Sequence, residues 1–135
     1  MTSVDRKMLK TFAEESAARL EQITDDLEQL ADASDPEELV ASLFRETHNL
    51  KGAANLVGVR AVELLAHALE NILEPLRSGG RSPDSQLVAI LEAGYQRIDD
   101  LLQNPQVLAF VDVRRDVATL ERHLAAWLGE SGLVR

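Results

Sequence analysis

His48, Lys51 and Gly52 on one stretch, with His67 and Glu70 on the next, have the residue types for nucleophilic chemistry at a ring nitrogen. A carboxylate accepting a hydrogen bond from one imidazole nitrogen fixes the tautomer and leaves the other lone pair free. It also makes that second nitrogen the better nucleophile. A lysine one helical turn beyond the histidine supplies a compact cation that can attract a phosphoryl group. Glycine beside it leaves the approach to the ring open, at a cost of about 1 kcal/mol in helix propensity against alanine. Such a group describes a histidine that takes up a phosphoryl group and gives it away again.

Helices must bring these residues together. Leu39, Val40, Leu43, Thr47, Leu50, Ala54 and Val57 fall on one face of an amphipathic helix, and His48 points about 140° from its centre. On the following helix Val62, Leu69, Leu73 and Leu76 set the core direction. Glu63, His67, Glu70, Glu74 and Arg77 are expected on the opposite, outer face. His48 lies ten residues before Gly58, and His67 and Glu70 lie nine and twelve after it. In an antiparallel hairpin turning at Gly58, His48, Lys51, His67 and Glu70 come to one level on the outer edge of the pair.

The rest of the chain reads as further helices. The first runs from about Asp5 to Ala31, with a seam of Leu9, Ala13, Ser16, Leu20, Ile23, Leu27 and Leu30. Ser34 or Asp35 is expected to cap the second helix, with Pro36 in its first turn and Gly58 ending it in a left-handed conformation. The third spans about Arg60 to Arg77 with Leu65 and Ile72 also inward, and Pro75 should bend or loosen its last turn. Ser82-Pro83-Asp84 starts the fourth, which turns Leu87, Ile90, Leu91, Gly94, Ile98 and Leu101 inward and ends at Asn104-Pro105. A nine-residue connection, Asn104 to Asp112, leads to a fifth helix from about Val113 to Leu128 bearing Val117, Leu120, Leu124 and Trp127. Successive amphipathic helices with short links predict an all-α, up-down antiparallel four-helix bundle with the fifth helix along its side or end. Residues 1–135 are expected to form a single domain of this kind, monomeric by itself.

Bulk composition narrows the function classes. The chain has 23 acidic against 14 basic residues and a net charge of −9, which speaks against nucleic acid and anionic membrane surfaces as partners. With no cysteine, thiolate catalysis and disulfides are excluded. The start of the sequence lacks an apolar signal-peptide core, and no apolar run is long enough for a bilayer, so a cytoplasmic location is expected. A di-metal bundle needs inward Glu-x-x-His pairs, yet Arg45, Leu64 and Leu120 stand three residues before the three histidines. A helical adaptor binding proteins through its acidic surface is the alternative; it would leave Gly52 unexplained. His123, in Glu121-Arg122-His123-Leu124, has no matching partner and reads as surface.

The run His48-Asn49-Leu50-Lys51-Gly52, then Gly58, then His67-Ala68-Leu69-Glu70 resembles the histidine-containing phosphotransfer (HPt) domain family. Within it the pattern is most similar to the amino-terminal phosphotransfer domain of the chemotaxis histidine kinase CheA. Phe44-Arg45 before the histidine, the Leu-Arg-Ser-Gly stretch at residues 76–79 and a fifth helix carry the narrower likeness. The resemblance implies that His48 is phosphorylated on the ring nitrogen distal to the backbone. Glu70 would hold the other nitrogen, with Lys51 and His67 as further members of the hydrogen-bonded group. It implies no cofactor in this domain: a kinase domain with ATP and Mg²⁺ would phosphorylate His48, and a CheY-like response-regulator receiver with its own Mg²⁺ would take the group onto an aspartate. Docking would use the surface around His48, with Ala41, Phe44, Arg45, Gly52, Asn55 and Leu56.

Overall fold

The computed structural model describes the backbone of residues 3–130 and the side chains of residues 6–129. Among the described residues five α-helices follow one another: α1 Ser3–Leu30, α2 Glu37–Val57, α3 Arg60–Arg77, α4 Ser85–Leu102 and α5 Arg114–Glu130. The seam expected on α1 is the buried one, from Leu9 to Leu30, because its spacing keeps one stripe toward the neighbouring helices. Side-chain bridges give the directions. Arg19 bonds Glu46 and Asp26 bonds Ser42 between α1 and α2, so residue numbers rise on one helix as they fall on the other. Arg97–Asp116 and Asp84–Trp127 show the same antiparallel relation for α4 and α5. α1 to α4 form the four-helix bundle, and α5 lies along α3 and α4.

The ends follow local chemistry, with two departures from expectation. Gly58, at φ 77°, ends α2 while the Val59 N–H bonds the Ala54 carbonyl at 2.8 Å, a Schellman-type stop that makes the link to α3 only two residues long. The expected Ser34 or Asp35 cap is not formed. Pro36 itself occupies the cap position without a side-chain hydrogen bond, and Glu37 and Glu38 face the positive end of α2 instead. Asp84 caps α4 by accepting from the Leu87 N–H at 2.8 Å, and it also accepts from the Trp127 indole at 3.1 Å. That carboxylate thus ties the start of α4 to the last turns of α5. Pro75 removes one donor, to the carbonyl of exposed Asn71, yet α3 continues to Arg77. The expected plain connection contains a 3₁₀ turn, Pro105–Val107, which seats Leu108 in the core.

Gly94 is the close-approach point of α4. A Cβ there would stand 2.6 Å from Leu69 Cδ2 and 3.3 Å from Leu120 Cδ2, so α3, α4 and α5 meet where the side chain is absent. Gly94→Val is expected to lower the unfolding free energy by about 2 kcal/mol through overpacking. Urea titration should show an earlier midpoint with an unchanged slope.

Candidate functional site

α2 and α3 run antiparallel, and their bridges step along the pair in order. Asn55 donates to Glu63 at 2.9 Å near the turn, and the Arg77 guanidinium lies 4.4 Å from the Phe44 ring at the far end. Midway between them the His48, Lys51 and Glu70 side chains meet. His48 Nδ1 lies 2.7 Å from Glu70 Oε2, and Lys51 Nζ donates to Glu70 Oε1 at 2.7 Å.

The electrostatics fix the protons. Burial pushes the Glu70 carboxyl up, but the hydrogen bonds and charges of Lys51 and His48 outweigh it and hold the group below its ordinary value. An ionised carboxylate can only accept, so Nδ1 of His48 is the donor. In the neutral ring this leaves Nε2 with its lone pair free. The His48 side chain is 63% exposed while that of Glu70 is only 8% exposed. The orienting carboxylate is therefore sheltered and the oriented ring is open.

Glu70 is buried, not on the outer face expected from the helical wheel. The apolar moment of α3 marks one direction, but α2 covers the flank as well, and the carboxylate lies in that seam. His67 is also corrected. It stands exposed outside the hydrogen-bonded group, and among the described residues it makes no hydrogen bond. The ladder of bridges puts it nearly one turn from the His48 level, about opposite Gly52. Lys51, expected to face an incoming phosphate, spends one of its three donors on Glu70 and retains two.

Around the histidine, Ala41, Arg45, Gly52, Asn55 and Leu56 are exposed, with Leu56 at 84%. Phe44 is half-buried beneath Arg77. A Cβ at Gly52 would meet nothing within 4 Å, so packing within this chain does not require the glycine. Beneath the site, Thr47 donates to the Leu43 carbonyl at 2.7 Å and is hydrogen-bonded to the Tyr95 hydroxyl. Tyr95 was missing from the core expected on α4, although its spacing of four from Leu91 and three from Ile98 follows the inward stripe. Among the described residues no cluster of three or more His, Asp or Glu side chains could hold a metal, and no helix is long and apolar enough to cross a membrane.

Residues 7–104 match the family model of the Hpt domain. The chemotaxis protein CheA of Listeria monocytogenes is 30% identical over 116 residues, which cover 84% of this chain and 19% of that protein. CheA of Cereibacter sphaeroides is 37% identical over 79 residues, covering 58% of this chain and 12% of that protein. The chain thus spans about a fifth or less of the length of these curated relatives. In fold it is similar to the phosphorylated P1 domain of CheA3, solved in complex with CheY6 from R. sphaeroides. The TM-score is 0.75 at 24% identity, covering 92% of this chain and 97% of that one.

Proposed function

The chain belongs to the Hpt domain family, and from that premise we propose that it carries a phosphoryl group on Nε2 of His48 between a kinase and a receiver. The observation that carries this reading is the exposed ring held through Nδ1 by a buried, ionised carboxylate. Nε2 attacks the γ-phosphorus of ATP held by a histidine-kinase catalytic domain, the bond to the leaving ADP oxygen breaks, and an N–P bond forms. A ring protonated at Nδ1 and bonded to phosphorus at Nε2 is cationic, and Glu70 lies where that charge develops. In the second transfer the N–P bond breaks toward an aspartate oxygen of a CheY-like receiver, and the ring returns to neutrality. ATP and Mg²⁺ would belong to the partners, and the metal would neutralise phosphoryl charge there. The two remaining Lys51 donors are available to the phosphoryl oxygens. We place the exchange in the cytoplasm, where the kinase meets ATP.

This chain's contribution is positional: it presents one nitrogen at a fixed angle on a rigid helix pair. Partner contacts would fall on Ala41, Phe44, Arg45, Gly52, Asn55 and Leu56, a patch suited to a small, transient interface. Incubation with a CheA-type kinase and ATP tests the reading. The expected product carries acid-labile, alkali-stable phosphate that a CheY-like receiver removes; a chain that takes up none would overturn it.

Gly52 separates fold from docking, since nothing within this chain needs it. Gly52→Gln is expected to raise helix stability by about 0.5 kcal/mol yet slow phosphorylation about tenfold, because the new side chain stands beside the ring. Thermal unfolding and initial rates measured on one preparation check both halves. An unchanged rate would remove Gly52 from the contact surface.

A further inference from the structure

Thr47 and His48 are neighbours on α2, about 100° apart around its axis. Thr47 is fully buried and His48 is open. The Thr47 hydroxyl has one proton and gives it to the Leu43 carbonyl, so in its bond with Tyr95 the phenol must be the donor. Burial raises the Tyr95 pKa; the Thr47 contact opposes that rise and the charge of Glu70 adds to it, so the phenol keeps its proton. α2 is therefore held at two points of its circumference at one level. Tyr95 of α4 holds the core side, and Glu70 of α3 holds the outer edge.

Apolar packing is non-directional and lets a helix roll; a hydrogen bond weakens steeply once its angle opens. A roll of about 10° carries a ring nitrogen some ~6 Å from the helix axis through about 1 Å. A misplacement of that size can cost up to about 10²-fold in rate. We infer that Tyr95 is a positioning residue, whose bond to Thr47 sets the angle at which α2 presents His48 to Glu70 and to incoming phosphate. Its rate consequence rests on the phosphoryl-carrier reading; its effect on the ring does not.

The test compares four variants by ¹⁵N NMR of the His48 imidazole and by initial rates with a CheA-type kinase and ATP. Tyr95→Phe and Thr47→Val remove the bond with little change in volume. Thr47→Ser retains the hydroxyl. Ile98→Val trims a fully buried residue on the same helix and serves as a control for destabilisation alone. Tyr95→Phe and Thr47→Val should lower the population of the Nδ1–H tautomer and slow phosphorylation about fivefold to tenfold. Thr47→Ser and Ile98→Val should match wild type in both readings. A wild-type His48 spectrum in Tyr95→Phe, or an equal change in Ile98→Val, would overturn the inference. Should the wild-type chain itself take up no phosphate, the carrier reading fails while the NMR comparison still decides the role of Tyr95.

Discussion

His48→Gln is expected to keep the fold and to reduce phosphate uptake by at least about 10³-fold, the scale seen when a nucleophile is removed. The two halves have separate causes. His48 contributes no core volume: its side chain is 63% exposed, and among the described residues its one hydrogen bond goes to Glu70. Glutamine can donate to the same carboxylate, so stability should stay within about 1 kcal/mol of wild type. Its amide nitrogen, however, has its lone pair delocalised and cannot attack phosphorus as an imidazole does. The other histidines provide the internal comparison. His67 and His123 are exposed too, but among the described residues neither has a carboxylate partner. His67→Gln and His123→Gln should each retain phosphate uptake. Labelled phosphate that persisted on His48→Gln, stable to alkali and lost in acid, would place the acceptor elsewhere.

How much of this was legible in the sequence depends on what a periodicity can measure. The seam of α1 and the span of α3, Arg60–Arg77, follow from apolar spacing and the Gly58 stop, and the structure has them. A helical wheel gives one direction per helix, toward the summed apolar residues. α3 touches α2, α4 and α5 together, so its buried arc is wider than that direction implies and takes in Ala61, Ala66, Ala68 and Glu70. That is why Glu70 reads as outward but lies under His48. Counting residues from Gly58 placed His67 and Glu70 together, but only the carboxylate reaches the ring, because a turn of helix separates their heights. The Asp26 carboxylate shows the same limit. It is buried and accepts from Ser42 of α2, a partnership between helices that spacing on α1 alone does not contain. Asp84 bonding both Leu87 and Trp127 likewise needs the packed arrangement of α4 and α5.

Glu70→Ala should have the second largest effect, slowing phosphorylation by up to about 10²-fold, within the usual range for a positioned proton-handling group. It removes the acceptor that fixes the Nδ1–H tautomer and leaves the cationic phospho-ring without its counter-charge. Glu70→Gln separates the two contributions, since its carbonyl can still accept from Nδ1 while the charge is gone. Its rate should fall between wild type and Glu70→Ala. Stability supplies an independent reading through pH. The folded-state pKa of Glu70 lies below its ordinary value of 4.5. Between those two values the unfolded chain binds more protons at this position than the folded one, so stability rises with pH across that window. The contribution is complete above about pH 4.5 and is lost as pH falls through the folded value. The stability difference between wild type and Glu70→Ala, measured by urea unfolding, should therefore shrink from pH 7 toward pH 3. A difference that stays constant would mean that the carboxylate charge does not hold Lys51 and His48, and Glu70 could then orient the ring only by its shape.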